Sequence, residues 1–277
     1  MNIRSFIVGS GRSGTTLLQS MIASHPEIHS FPETQFLNHS IRRRHELQVR
    51  LGIATGRESS ILSRHLQQVD REDLLSMVSN QFWLSDAIQM FTDVLDRLAA
   101  DNSASGWVEK TPEHLFRINL LERYVEHPHF VHIVRDGREV IASMKKQAQK
   151  YDFTQHNVDV YVKKWNKCAR ITQQHACNSN HHVIIYEHLV KEPERVMQCA
   201  FDFLGIPYDD AVVENREVGA SLVVAEGQGW VEKVKRPLHT PDPKFPDLFD
   251  PGTQQHIEAT LDLNTYNKLE TYVRNHK

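Results

Sequence analysis

The chain has 277 residues, 40% of them hydrophobic and 24% charged, which is enough for one large α/β domain or two small ones. Its formal net charge of −3 excludes a protein that binds nucleic acid or an anionic membrane through its overall field. Three cysteines, Cys168, Cys177 and Cys199, form an odd set without a C-x-x-C pair, so a disulfide scaffold is not expected and a reducing compartment is favoured.

The first predicted element is a strand at 5–8, which leads into a glycine-rich turn and then a helix at 16–24. This order presents several backbone N–H groups and the positive end of a helix dipole to an anion. Gly9 and Gly14 have the spacing of a P-loop, but Thr15 stands where a nucleotide triphosphatase carries lysine. The loop therefore predicts a phosphate-type ligand rather than an ordinary ATPase site.

The same loop also fits the G-x-G-x-x-G pattern of a dinucleotide-binding fold, through Gly9, Gly11 and Gly14. Glu33 follows the last glycine at about 20 residues, the distance at which such folds hold a ribose. The loop by itself leaves both interpretations open.

A second strand is predicted at 28–31, where Pro32 ends it. From about 38 to 105 the chain is polar and favours helices, which are predicted at 64–69, 71–84 and 85–100. We interpret this segment as a helical insertion within a single domain of 1–277. Because it begins just after Glu33, we expect it to lie over the mouth of the site and to shape the acceptor side.

Further strands are predicted at 129–134 and 182–186, and helices at 112–125, 139–150, 158–177 and 253–275. Short apolar strands that alternate with helices predict an α/β fold with a parallel sheet covered on both faces. No run approaches the ~18 apolar residues of a membrane span. The N-terminus enters the first strand without a signal peptide. We therefore expect a cytoplasmic protein without a transmembrane segment.

The 17 histidines include the closely spaced groups His181-His182 and His127-x-His129-x-x-His132. None of these groups combines with cysteine or carboxylate at a recognised metal-ligand spacing. No bound metal is therefore expected, and His132, inside a predicted strand, is interpreted as a core or surface residue.

The second informative block reads Arg135-Asp-Gly-Arg-Glu-Val-Ile-Ala-Ser143 and follows the strand at 129–134. An arginine at the carboxyl end of a strand and a serine in the next helix can converge on one anion. A dinucleotide-dependent oxidoreductase gives neither residue a role and expects a second glycine-rich crossover. A small-molecule kinase expects lysine at position 15 and magnesium ligands.

Together, Gly-Arg12-Ser-Gly-Thr-Thr and the Arg135/Ser143 block resemble the sulfotransferases that use 3′-phosphoadenosine 5′-phosphosulfate (PAPS). Within that family the likeness is to tyrosylprotein sulfotransferases and their bacterial relatives. It covers roughly 5–37 and 107–207 and implies a three-layer, P-loop NTPase-like α/β fold. Other matching segments are Lys164-Trp165-Asn166-Lys167, Tyr186-Glu187-His188-Leu189-Val190 and Phe203-Leu204-Gly205-Ile206.

The resemblance also implies which residues bind the co-substrate, without any metal. The 5′-phosphosulfate would be held by Arg12, Ser13, Gly14, Thr15 and Thr16. The 3′-phosphate would be held by Arg135 and Ser143, with Tyr186 packed near the nucleotide. The product nucleotide would be adenosine 3′,5′-bisphosphate (PAP).

Catalytic roles follow from the same resemblance. Cytosolic members carry Lys-Thr-His, whereas this chain has Lys110-Thr111-Pro112, and proline cannot transfer a proton. In the tyrosylprotein-like branch a glutamate after the second strand is the general base, and Glu33 matches it. Arg12 and Lys110 would stabilise charge on the sulfuryl and bridging oxygens.

Two features leave details open. Gln147 stands where the tyrosylprotein branch has another arginine, which implies one fewer contact to the 3′-phosphate. Lys233, Lys235 and Arg236 resemble a basic stretch that folds over the nucleotide, and any of the three fits. The acceptor hydroxyl or amine could belong to a carbohydrate, lipid, peptide or small molecule. A non-catalytic nucleotide-binding relative is the alternative function.

Overall fold

A parallel five-stranded sheet forms the centre of the protein in a computed structural model that describes residues 3–150, 157–223, 238 and 242–276. Its strands are β1 (Ile3–Gly9), β2 (Ile28–Ser30), β3 (Gly106–Lys110), β4 (Pro128–Val134) and β5 (His181–Ile185). They lie in the order β2-β3-β1-β4-β5. Since every pairing is parallel, the carboxyl ends of all the strands meet along one edge. The predicted α/β class is confirmed.

The central strands are buried on both faces, which explains their almost continuous apolar sequences. Neighbouring residues of a strand point to opposite faces. Phe6 joins an apolar cluster on one face, with Trp107 and Phe130 from the adjacent strands. Ile7 joins a second cluster on the other face, with Val131.

Helices cover both faces of this sheet. In chain order they are α1 (Thr15–Ala23), α2 (Phe36–Ser40), α3 (Glu46–Arg50), α4 (Glu58–Gln68), α5 (Leu84–Asp101), α6 (Ile118–Tyr124), α7 (Gly137–Lys150), α8 (Val158–His175), α9 (Tyr186–Lys191), α10 (Pro193–Leu204), α11 (Ala211–Glu214), α12 (Arg216–Val223), α13 (Phe245–Leu248), α14 (Pro251–Thr260) and α15 (Leu263–Asn275). Shorter 3-10 turns lie at Arg43–His45, Glu72–Met77 and Pro112–Arg117.

All regular elements of the segment at 38–105 are helices, and the segment packs on the sheet. Leu62 of α4 and Phe91 of α5 belong to the same buried cluster as Phe6 of β1. The rings of Phe36 and Phe91 stack with centroids 4.2 Å apart. This segment is therefore anchored by the core rather than only by its two ends.

Some predicted elements are wrong. The helix predicted at 71–84 is a 3-10 turn followed by extended chain, because Ala54 N–H donates to Phe82 O at 2.9 Å and Leu84 N–H to Gly52 O at 2.8 Å. The helix predicted at 253–275 is two helices, and Asp262 caps the second by accepting from Thr265 N at 3.2 Å.

Strand β3 has no predicted counterpart, and Tyr186 begins helix α9 instead of ending a strand. Within the described part of the chain, no helix combines the length and the apolar character that a bilayer crossing requires. Lys233, Lys235 and Arg236 lie outside the described residues.

Candidate active site

The predicted site residues lie along the carboxyl edge of the sheet, in the order of the strands. Glu33 follows β2, Lys110 ends β3, and the loop at 10–14 follows β1. Arg135 follows β4, and Tyr186 follows β5. Ligands of open parallel sheets bind at this edge. Residues from distant parts of the chain thus come together because each lies at or just after the carboxyl end of a strand.

The loop at 10–14 allows a close approach of backbone to ligand. Gly14 has φ 95°, and a Cβ there would lie 2.3 Å from Cδ2 of Tyr186. Helix α1 begins at the next residue, Thr15, and no side chain caps its start. The N–H groups of its first turn therefore point toward the site without intrahelical partners. Ser13 Oγ is also buried, and no group in the described part of the chain forms a hydrogen bond with it.

Arg12 connects the first loop with the second block. It adopts a left-handed backbone conformation with φ 74°, which is uncommon for a residue with a side chain. Its Nε donates to Ser143 Oγ on α7 at 3.1 Å. The two motifs recognised from the sequence are therefore in direct contact.

Arg135 is held firmly but keeps one donor unused. Its guanidinium lies 4.5 Å from the centroid of the Tyr186 ring, and its Nη2 is 3.6 Å from Oε2 of Glu139. Trp165 Nε1 donates to its carbonyl oxygen at 3.1 Å. Its Nε is buried and has no hydrogen-bond partner among the described residues. A fixed, buried cation with an unsatisfied N–H is suited to an anion.

Lys244 adds a cation that the sequence motifs do not predict. Burial lowers the pKa of Lys244, and Arg135, Lys146 and Arg12 lower it further by charge repulsion. The backbone N–H of Lys244 donates to Glu139 Oε1 at 2.9 Å, which holds this distant segment against α7. Like charges that converge in this way favour an anionic ligand between them.

Glu33 and Lys110 form an ion pair between Oε1 and Nζ. Gln35 Nε2 donates to the other carboxylate oxygen, Oε2, at 2.5 Å. The Lys110 side chain is 7% exposed and that of Glu33 36%, so the carboxylate is the partner that solvent or an acceptor can reach.

Glu109 is a positioning residue that the sequence motifs do not indicate. Its Oε1 accepts from the Thr34 amide and hydroxyl at 3.2 and 2.8 Å and from Thr111 Oγ1 at 2.6 Å. Its Oε2 accepts from His114 Nδ1 at 3.0 Å. Burial alone would raise the pKa of Glu109, but His114, Thr111 and Thr34 lower it to about 2. The ionised carboxylate thus fixes the segment that carries Glu33 onto β3.

The donors fit a ligand with two separate anionic groups. One group of donors is formed by the start of α1 and Ser13, and the other by Arg135 and Ser143 after β4. The hydrogen bond from Arg12 to Ser143 joins the two groups, and Lys244 adds positive charge beside Arg135 and Arg12. Such a pair of positions matches a nucleotide that is phosphorylated at both its 5′ and 3′ sides.

Comparison with known proteins agrees with this geometry. The family model described as "Sulfotransferase family" matches residues 5–210. The chain belongs to the sulfotransferase family.

Protein-tyrosine sulfotransferase 1 of Danio rerio is 27% identical over 237 residues, which cover 83% of this sulfotransferase and 60% of the relative. The chain thus spans less than two thirds of that relative's length. Two solved structures have the same fold. The sulfotransferase domain from the curacin biosynthetic pathway superposes with a TM-score of 0.59 at 22% identity over 94% of this chain and 97% of that one. Mouse sulfotransferase SULT7A1, complexed with PAP, superposes with a TM-score of 0.55 at 13% identity over 94% and 83%.

The remaining predicted residues also have defined places in this sulfotransferase. Thr15 is buried at the start of α1, and Thr16 is half-buried beside it. Gln147 is half-buried one turn after Ser143 on α7, so it lies on the same side of the helix as the serine. The predicted site residues therefore share one edge of the sheet, and the structure adds Glu109 and Lys244 to them.

Proposed function

We propose that this sulfotransferase transfers the sulfuryl group of PAPS to an acceptor hydroxyl, or amine, by in-line displacement. The hydrogen bond from Arg12 Nε to Ser143 Oγ is the observation that carries the proposal. It joins the P-loop-like motif and the Arg135 block into one site, as a nucleotide with phosphates on both sides requires. Neither a dinucleotide site nor a magnesium-nucleotide site needs that second block.

The 5′-phosphosulfate is proposed to bind at the start of α1. The backbone N–H groups of 14–16 and the Ser13 hydroxyl donate to its oxygens, and Arg12 neutralises its charge. The 3′-phosphate is proposed to bind Arg135 and Ser143. Tyr186 supports both positions, because its ring contacts the Arg135 guanidinium and lies against Gly14.

Glu33 is proposed to be the general base. As the acceptor oxygen bonds to sulfur, the bond from sulfur to the bridging phosphate oxygen breaks, and the acceptor proton passes to the Glu33 carboxylate. Protonation of Glu33 removes the negative charge with which Lys110 is paired. The ammonium of Lys110, together with Arg12, can then neutralise the charge on the departing oxygen.

The acceptor is proposed to enter beside the exposed side of Glu33, where the insertion begins. The relatives are protein-tyrosine sulfotransferases, yet the acceptor pocket would be formed here by the insertion of this chain. A test must therefore offer acceptors of several classes. Suitable ones are a tyrosine-containing peptide, a simple phenol, a sugar and a primary amine.

The direct test is release of PAP from PAPS in the presence of each acceptor, measured by chromatography. The proposal predicts acceptor-dependent PAP release and a sulfated product with at least one class. PAP binding with no turnover across the set would favour the non-catalytic alternative. An absence of PAP binding would contradict the proposed site itself.

A further inference from the structure

Three side chains that commonly bind metals meet at the amino-terminal edge of the sheet, opposite the edge that carries the proposed active site. Glu122 lies on α6, His175 ends α8, and His181 begins β5. One ligand atom from each lies within 4.8 Å of those of the other two. His181 Nε2 is 2.9 Å from Glu122 Oε1, and His175 Nδ1 is 3.9 Å from the same oxygen.

The His181 side chain is held in place by packing, whereas those of Glu122 and His175 are accessible to solvent. The His181 side chain is fully buried between the rings of Phe130 and His175, with centroids 4.7 and 4.9 Å away. The side chains of Glu122 and His175 are 28% and 16% exposed, so an ion could reach them from solvent. Within the described residues, the other polar contact of His175 Nδ1 is a long one of 3.5 Å with Asn178 Nδ2. Because this contact is long, the lone pair of His175 Nδ1 is available to an ion.

The hydrogen bonds behind His181 can hold its ring in the form that binds a metal. Its Nδ1 lies 2.8 Å from His132 Nε2, and His132 Nδ1 lies 3.1 Å from Thr172 Oγ1. With protons on Nδ1 of both rings, His181 donates to His132, and His132 donates to Thr172. His181 Nε2 then directs a free lone pair toward Glu122.

We propose that Glu122, His175 and His181 bind a zinc ion, with water as the fourth ligand. Two imidazole nitrogens and one carboxylate oxygen are a zinc ligand set, and bonds of about 2.0–2.2 Å place tetrahedral ligands about 3.3 Å apart. The separations of 2.9 and 3.9 Å lie on either side of that value, and all three ligand atoms lie within 4.8 Å of one another, so rotations of the partly exposed Glu122 and His175 side chains would bring them around one ion. His132 supplies the outer hydrogen bond that zinc-binding histidines usually have.

The ion would connect α6, α8 and β5 at the edge far from the phosphate positions. Its expected effect is therefore on stability and not on sulfuryl transfer. This assignment is independent of the proposed activity. It also explains why no metal-ligand spacing is visible in the sequence, since the three ligands come from separate elements.

The test is calorimetric titration of the whole chain with Zn²⁺ after removal of metals by chelation, repeated with Co²⁺ to record its visible absorption. The variants are E122Q and H175Q, whose side chains are partly exposed. Matched controls are E126Q and H127Q, which change an exposed glutamate and histidine nearby. Far-ultraviolet circular dichroism establishes that each variant is folded.

We expect one zinc ion to bind the unaltered chain, E126Q and H127Q and to raise their melting temperature. E122Q and H175Q should lose about 100-fold in zinc affinity, at least the effect of removing an outer-shell partner. The Co²⁺ complex should have the absorption of a tetrahedral ion. Absence of zinc binding would overturn the proposal, and so would equal affinity in E122Q, H175Q and the unaltered chain, because other histidines would then be the ligands.

Discussion

Glu33 is the residue on which the proposed chemistry depends most, and its ion pair with Lys110 makes its role testable. Glu33→Gln keeps the size of the side chain and its contact with Gln35 but cannot accept the acceptor proton. We expect turnover to fall about 100-fold or more, within the range for a lost general base. Affinity for PAP should change little, since Glu33 lies outside both phosphate positions. Rates and calorimetric affinities measure the two effects.

A matched control for this substitution is Glu72→Gln, which alters an exposed glutamate of the insertion. It should leave both turnover and affinity unchanged. Near-normal turnover in Glu33→Gln would remove Glu33 from the role of base and require another proton acceptor at the edge of the sheet.

Arg135 is expected to distinguish nucleotides by their 3′-phosphate. Its buried, unsatisfied Nε and its guanidinium face the position assigned to that group. Loss of a hydrogen bond to a charged group costs about 1.5–3 kcal/mol, so Arg135→Ala should weaken PAP binding about 10- to 100-fold. AMP, which lacks the 3′-phosphate, should be affected far less.

Arg138→Ala is the control, because that arginine pairs with Asp136 at 2.6 Å and also with Glu258. Its removal should weaken PAP and AMP binding little, and by the same factor. An equal loss of both nucleotides in Arg135→Ala would show that Arg135 does not bind the 3′-phosphate.

At the scale of elements, the turn from β1 to α1 depends on Gly14, which lies against the ring of Tyr186. In Gly14→Ala the new Cβ would meet the Tyr186 ring at 2.3 Å, and the φ of 95° would be strained as well. We expect a loss of about 1–3 kcal/mol in the free energy of unfolding. PAP affinity should also fall, because Tyr186 supports Arg135. Urea denaturation and calorimetry measure these changes.

Gly11→Ala in the same loop is the comparison, since a Cβ there would have no atom of the described residues within 4 Å. It should change stability by no more than about 0.5 kcal/mol. Similar losses in the two variants would contradict the importance that we assign to the contact of Gly14 with Tyr186.

The connection between β2 and β3 depends on the buried Glu109 carboxylate. His114 Nε2 accepts from the Leu37 amide at 3.3 Å, so its proton is on Nδ1 and faces Glu109. In Glu109→Gln one carboxylate oxygen becomes an NH2 group. That group would face either the Nδ1–H of His114 or the donors of Thr34 and Thr111, so two donors would meet without an acceptor. We expect a loss of about 1–3 kcal/mol at neutral pH, the cost of leaving a buried hydrogen-bonding group without its partner.

Acid titration measures the same carboxylate independently. Because its pKa is lowered to about 2 from 4.5, its contribution is fully present above pH 4.5 and disappears as the pH falls toward 2. The unfolding free energy of the unaltered chain should therefore decrease across this interval more steeply than that of Glu109→Gln. Parallel pH profiles would show that the carboxylate is not stabilised in the folded protein.

At the scale of the whole molecule, local patterns predicted the phosphate motifs and the α/β class. The strand–loop–helix order at 5–24 and the Arg135/Ser143 block depend on spacing within one or two elements. Strand β3 was missed because Glu109 and Lys110 interrupt its apolar pattern. Each charge is satisfied only in the folded chain, by His114 with two threonines and by Glu33.

Other features depend on tertiary neighbours that no local pattern contains. Lys244 reaches the Arg135 position through contacts of its backbone with Glu139, more than 100 residues earlier. The segment at 78–83 leaves the predicted helix because its end pairs with 52–54, a contact between residues about 30 positions apart. These are the parts of the fold and the site that require the structure.

The central claim is that one site binds a nucleotide through phosphates on both its 5′ and 3′ sides. The most direct measurement is calorimetric titration with PAP, run beside AMP, magnesium-ATP and NAD(H). We predict that PAP binds and that the other ligands bind far more weakly, because only PAP occupies both positions joined by Arg12 and Ser143. Preferential binding of NAD(H) or magnesium-ATP would contradict the claim and leave the Arg135 block without its proposed ligand.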